Sequence, residues 1–157
     1  MITNPEKTTA LVSLTASLPF AESEARSAIA PILRRRAEEG CLHFLCPMRQ
    51  GFELLMAEEV LALRGEFPVT LTALLPHERI AEDWEEEVRD RFFRAVEEAD
   101  LEILYTAHPF PEAEEECLRL TARLSHSVIA VAEGELPLWL CGDVTVLSPK
   151  DLERKMA

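Results

Sequence analysis

Residues 41–64, CLHFLCPMRQGFELLMAEEVLALR, constrain the fold more than any other stretch of the chain. Residues 42–46 are largely apolar and have the length of one buried strand, and Pro47 and Gly51 interrupt the pattern after them. From Leu54 to Leu61 the apolar residues recur at helical spacing. The stretch therefore predicts a buried strand, a sharp turn and an amphipathic helix. In an open α/β sheet, ligands bind at such a turn.

The same alternation of apolar strands and helices runs through the whole sequence. Strands are predicted over residues 8–15, 42–46, 69–75, 101–105 and 127–132, with one or two short ones within 138–141 and 144–147. Helices are predicted over residues 21–39, 51–64, 84–99 and 112–124, with a closing helix from Ser148. We expect Pro31 to kink or restart the first helix and Asp83 to cap the third. This order predicts an α/β, Rossmann-like doubly wound sandwich: a mostly parallel sheet of five to six strands with helices on both faces.

Length and composition predict one globular domain over residues 1–157, whose core needs no disulfide, metal or cofactor to fold. The net charge of -13 opposes nucleic-acid binding, because that affinity comes from neutralising phosphates. No apolar run approaches the roughly 20 residues of a membrane helix. The amino terminus also lacks a basic region followed by an apolar one, so we expect a cytoplasmic protein without membrane partners.

The four cysteines lie in or beside apolar segments and form no CxxC pair, so we interpret them as small buried residues. Cys41, His43 and Cys46 are close enough in sequence to suggest metal ligands. However, Cys41 and His43 share one face of the predicted strand, whereas Cys46 points to the other. No metal site is therefore predicted.

Five segments in the same order and spacing resemble the YpsA-like branch of the SLOG superfamily, the Rossmann-like group that includes the DprA/Smf proteins and the Lonely Guy phosphoribohydrolases. They are residues 38–46, 51–61, 76–84, 99–110 and 124–134. The resemblance covers most of the chain. It implies a Rossmann-like fold and a nucleotide-derived ligand held by the turns after strands one, two and five.

The departures from this family pattern lie where its members bind ligand. Residues 14–17 replace a Gly-His-Arg turn, and Pro47 replaces the first glycine of a Gly-x-x-x-Gly pair, leaving only Gly51. The Pro-Gly-Gly-x-Gly-Thr signature that accompanies hydrolysis in Lonely Guy relatives is absent from the sequence. Proline offers no amide to a phosphate and fixes φ, so the sequence predicts a weakened anion site.

Candidate ligand contacts come from the predicted carboxyl edge of the sheet. His77 and His108 follow strands at this rim, although an exposed histidine is often incidental. Trp84 either packs over the end of the third strand or stacks on a base. The resemblance puts Glu53 where the family has Asp. The full predicted set is Ser17, Met48, Arg49, Gly51, Glu53, His77, Trp84 and His108.

No catalytic residue is predicted, because Ser17 lacks a GxSxG elbow and an accompanying His and Asp pattern. We therefore expect a protein that binds or senses a nucleotide-derived small molecule without catalysis; the ligand stays unidentified. The alternative is a structural or protein-interaction domain with a decayed pocket. The sequence does not decide whether the protein forms a homo-oligomer. Hydrolysis of an N-glycosidic bond, as in phosphoribohydrolases, is the least favoured hypothesis.

Overall fold

The computed structural model describes residues 8–15, 21–140 and 142–150, in which strands and helices alternate. The strands are β1 (Thr8–Ser13), β2 (His43–Cys46), β3 (Thr70–His77), β4 (Leu101–Thr106), β5 (Ser127–Val131) and β6 (Asp143–Leu147). The helices are α1 (Glu22–Glu38), α2 (Phe52–Ala62), α3 (Glu86–Glu98) and α4 (Ala113–Arg123), and a 3-10 turn at Leu63–Gly65 extends α2. The predicted alternation is confirmed.

The six strands form one sheet in the order β4-β3-β2-β1-β5-β6, and every neighbouring pair is parallel. From β1 to β4 the chain advances in one direction, and it then returns to place β5 on the other side of β1. Because crossovers are right-handed, this reversal puts α1, α2 and α3 on one face and α4 on the other. The predicted Rossmann-like fold is confirmed, with a sheet that is parallel throughout.

Alternate residues of the central strands feed two hydrophobic layers. Leu11 of β1 belongs to the larger layer, under α1 and α2, whereas its neighbours Ala10 and Val12 face Leu118 of α4. Residues of β1, β2 and β5 are buried almost without exception. Burial on both faces explains why these strands read as continuous apolar runs in the sequence.

The structure bears on three local predictions. Of the kink or restart expected at Pro31, the restart is absent: helix α1 continues through Pro31, because the helix is exposed there and solvent can satisfy the Ser27 carbonyl that loses its donor. Helix α3 begins at Glu86 after Glu85, not at Asp83, and Trp84 instead packs edge-on against Phe92 with ring centroids 5.0 Å apart.

The segment before β6 is also not a strand. Residues 138–140 form a turn in which the Leu140 N–H donates to the carbonyl of Pro137 at 3.0 Å, so of the one or two final strands predicted only β6 is present among the described residues. The closing helix predicted from Ser148 falls mainly on residues 151–157, outside the described part of the chain.

Cys41, Cys46 and Cys117 are buried, as predicted, and none of them forms a disulfide within the described residues; Cys141 lies outside them. Burial, with Glu53 nearby, holds the pKa of Cys46 well above its ordinary value and raises the pKa of Cys117 to about 12. Residues 8–15, 21–140 and 142–150 contain no group of three or more His, Cys, Asp or Glu suited to a metal ion. They also contain no helix long and apolar enough to cross a membrane.

Candidate functional site

A cavity of about 480 Å³ opens at the carboxyl edge of the sheet, where the strand order reverses between β1 and β5. This reversal point is where open α/β sheets bind ligands, because the turns after the two strands diverge to opposite faces. Its lining comes from the turns after β1, β2 and β5 and from the first turns of α4. The residues are Ser13, Leu14, Thr15, Arg49, Pro111, Glu114, Glu115, Leu118, Ala132, Glu133, Glu135, Pro137 and Trp139. We call it the switch cavity.

The turn after β2 is shaped by two residues with positive φ. Met48 has φ 61°, and Gly51, which caps the start of α2, has φ 103°. Only glycine adopts the second conformation without strain, which explains its place before the helix. Met48 tolerates the first because its side chain is fully buried in the core under α2.

Directly beneath the switch cavity, Arg49 and Glu53 form a buried ion pair. Arg49 Nη2 lies 2.7 Å from Glu53 Oε2, and Arg49 Nε donates to Glu53 Oε1 at 2.9 Å. Glu53 is only 1% exposed, whereas the Arg49 side chain is 24% exposed and reaches the cavity surface. Burial lowers the pKa of Arg49, but attraction and hydrogen bonding to Glu53 outweigh it and raise the pKa overall. The guanidinium is therefore a permanent cation that already has its counter-ion.

The Glu53 carboxylate also occupies the main-chain donors of both turns. Oε2 accepts the Ser13 N–H at 2.8 Å, and Oε1 accepts the Arg49 N–H at 3.1 Å. Arg49 Nη2 in turn donates to the Ser13 carbonyl at 2.7 Å, which ties the turn after β1 to the turn after β2. Main-chain donors that converge in this way, beside a helix start, form an anion site. In this chain its own carboxylate fills that site.

The rest of the switch cavity is strongly acidic. Glu114, Glu115, Glu133 and Glu135 line it, against the single arginine Arg49. Arg49 is balanced by Glu53 below, and its Nη1 also lies 3.5 Å from Glu114 Oε1. Glu115 is paired at 2.6 Å with Arg119, which does not line this cavity, whereas no salt bridge within the described residues offsets Glu133 or Glu135. The potential therefore favours neutral or cationic groups over phosphates.

The structure does not bring the predicted contacts together at one site. Arg49 lines the switch cavity and Glu53 lies beneath it, bound to Arg49 instead of to a ligand position. Gly51 caps α2 without lining the cavity, and Met48 is a core residue, because its buried side chain points away from solvent. Ser17 lies outside the described residues.

The other three predicted contacts lie away from the switch cavity. His77 ends β3, where its Nδ1 accepts the Arg79 N–H at 3.2 Å, and His108 is exposed after β4. Strands β3 and β4 are two and three places from β1, which is roughly 10 and 14 Å across the sheet. Trp84 packs on Phe92 of α3. They reach the predicted edge of the sheet but do not meet Arg49.

Sequence reasoning missed the acidic rim and Trp139. The run Glu114–Glu116 reads as an ordinary solvated first turn, and nothing in the spacing links it to Glu133 and Glu135, which follow another strand.

Comparison with known proteins identifies the chain's relatives. The family model YpsA, described as the YspA SLOG family, matches residues 23–117, from the first turn of α1 into α4. No curated protein matches the chain. The match covers more than half of the sequence. The chain therefore belongs to the YpsA family of SLOG proteins, with a Rossmann-like α/β fold.

Proposed function

We propose that this SLOG protein binds a small, nucleoside-like molecule in the switch cavity and senses it without catalysis. The observation that carries the proposal is the Glu53 carboxylate, which accepts the N–H groups of Ser13 and Arg49 beside an otherwise open cavity. The site keeps the architecture of a nucleotide pocket while its phosphate position holds a side chain. A ligand of this cavity therefore brings no phosphate to these amides.

The charges of the cavity narrow the ligand class further. An added phosphate would meet Glu114, Glu115, Glu133 and Glu135 at short range, and like charges in a partly enclosed site repel strongly. A sugar and base offer hydroxyl and amine donors, which glutamate oxygens accept. A volume of about 480 Å³ lies within the range of small-molecule pockets. We therefore infer a nucleoside, neutral or cationic, as the ligand.

Two features support a role without catalysis. The buried Glu53 is bound by two main-chain N–H groups and by the Arg49 guanidinium, so its oxygens are not directed at a substrate. The nearby thiols of Cys46 and Cys117 are buried with raised pKa values and are poor nucleophiles at neutral pH. A sensor needs neither group, because it responds through a change in stability or shape on binding.

Thermal unfolding with adenosine, AMP, ADP-ribose and NAD tests the proposal. Adenosine should raise the Tm of the wild type with saturation. At the same adenosine concentrations the Tm of Leu14→Trp should not rise, because the larger side chain fills the cavity at its wall. Leu124→Trp is the matched control, since Leu124 is exposed at the end of α4 and should respond as the wild type does. A flat response to adenosine, or one that Leu14→Trp leaves intact, would overturn the proposal.

A second candidate function, self-association, is favoured by the edge strand β4. Leu101, Ile103 and Leu104 of β4 are between 37% and 54% exposed, which groups three large apolar side chains along an edge that is unpaired within the described residues. Exposed apolar edge strands are templates for pairing with another chain. Sedimentation velocity over a concentration series should show a dimer that Ile103→Lys abolishes. A monomer at all concentrations would refute this candidate.

A further inference from the structure

A second cavity lies on the face of the sheet covered by α4, near the amino end of β5. Its volume is about 560 Å³, and Val128 of β5 and Leu140 form an apolar floor. Trp139 forms one wall and also lines the switch cavity, so the two cavities share this side chain. We call the second one the α4 cavity. An apolar floor with a few converging polar groups is the usual composition of a small-molecule pocket.

The titratable side chains of the α4 cavity are basic. Arg119, Arg123 and His126 line it, and none of its described lining residues is acidic. Arg119 is paired with Glu115 at 2.6 Å, but within the described chain neither Arg123 nor His126 forms a salt bridge. In a chain of net charge -13 this concentration of unpaired basic groups contrasts with the four glutamates of the switch cavity.

Helix polarity explains only part of this arrangement. Basic residues near the end of α4 complement the negative pole of the helix dipole, which accounts for Arg123. It does not account for His126, which lies beyond the helix, or for the concave apolar floor. The basic side chains and the apolar floor therefore line one cavity, which is positively charged.

The wall of the cavity is suited to a flat ring. The Arg119 guanidinium carbon lies 5.7 Å from the centroid of Trp139, so a cation and an aromatic face already stack there. Both surfaces are planar and can stack on a further ring. The half-buried Trp139 has one side against the apolar layer that includes Val128 and Ala130.

We propose that the α4 cavity binds a small planar anion, an aromatic ring that carries a phosphate or carboxylate group. The ring packs on Trp139 and the apolar floor, and the anionic group is held by Arg123 and His126. This site differs from the switch cavity in place and in charge. It takes the anions that the switch cavity repels.

Tryptophan fluorescence of the full chain provides the test. The chain has two tryptophans, so Trp84→Phe leaves Trp139 as the sole reporter. AMP, which joins an aromatic ring to a phosphate, should quench it with saturation, whereas ribose 5-phosphate, which lacks the aromatic ring, should bind more weakly. In the same background Arg123→Glu should weaken AMP binding by about tenfold or more. Arg94→Glu, an identical charge change at an exposed position of α3, is the matched control and should leave AMP binding unchanged.

Because Trp139 lines both cavities, a further variant assigns the signal to one of them. Glu133→Arg adds a positive charge to the switch cavity alone and should leave AMP affinity unchanged if AMP binds the α4 cavity. No saturable response to AMP, equal affinity of Arg123→Glu and Arg94→Glu, or tighter binding by Glu133→Arg would each overturn the proposal. These outcomes are independent of whether adenosine binds the switch cavity, which Leu14→Trp decides.

Discussion

The carboxylate of Glu53 on α2 accepts the main-chain N–H of Ser13 at the end of β1, at 2.8 Å. The two residues are 40 positions apart in sequence and are both buried. Through this bond a helix that follows β2 fixes the turn that follows β1. The same carboxylate also neutralises Arg49, so the main-chain donors of Ser13 and Arg49 are satisfied from within the chain.

Glu53→Gln should lower the free energy of unfolding by about 2–4 kcal/mol, because it leaves the Arg49 guanidinium partly buried without its counter-ion. Urea denaturation at neutral pH measures the change. Glu97→Gln removes an exposed carboxylate from α3 and should alter stability by less than about 0.5 kcal/mol. If the two variants were equally stable, Glu53 would not hold the site together.

Met48 provides a test of the turn's backbone. In most ordered positions a glycine variant of a protein is less stable than the alanine variant by roughly 0.5–1 kcal/mol, because glycine loses more conformational entropy on folding. At Met48 the positive φ should reverse this order, so Met48→Gly should be at least as stable as Met48→Ala, although both lose the buried side chain.

The control pair for this comparison is in helix α2. Ala57 is buried there with ordinary helical geometry, so Ala57→Gly should cost about 1 kcal/mol or more in urea denaturation. A Met48→Gly variant that is less stable than Met48→Ala by the same amount would show that the backbone at this position carries no strain.

The fold could be predicted from the sequence, but only part of the site could. Strands such as residues 127–131 and the helix after Gly51 are predictable because periodicity and chain punctuation are local signals. Arg49 and Glu53 were both predicted as contacts for a ligand, and the structure pairs them with each other. That outcome depends on the depth at which α2 packs against β1, which no local pattern encodes.

The positions of Met48 and Trp139 show the same limit. Met48 sits between a proline and a glycine and reads as an exposed turn residue, yet the turn folds its side chain into the core. Trp139 joins two cavities because residues 136–140 fold over the face that α4 leaves open. Long-range contacts of this kind, separated by whole elements, are outside the reach of spacing arguments.

A network across three helices predicts how stability depends on pH. Glu58 of α2 lies 2.6 Å from Arg26 of α1 and 2.7 Å from Arg91 of α3. Burial raises the pKa of Glu58, but the hydrogen bonds from Arg91 and Arg26 outweigh it and bring the pKa below its ordinary 4.5. A lowered pKa in the folded state stabilises the fold above the unfolded value, and that stability is lost as the pH falls through the folded value.

Glu58→Gln should therefore lose less stability than the wild type on acidification from about pH 6 to below pH 4, while costing about 1–3 kcal/mol at neutral pH. Urea midpoints measured across this range give both quantities. Glu97→Gln should follow the wild-type curve, which separates the network from the general effect of the acidic composition. Parallel curves for wild type and Glu58→Gln would contradict the assignment.

Amide hydrogen exchange, read residue by residue by NMR, tests the central claim that Glu53 occupies the donors of the two turns. In Glu53→Ala the Ser13 and Arg49 amides should lose at least about tenfold more protection than the amide of Leu14, whose N–H donates to the Val131 carbonyl at 2.8 Å. Leu14 thus reports any general loss of stability. If Ser13 and Arg49 kept their protection, or lost only as much as Leu14, the carboxylate would not be the acceptor at this site.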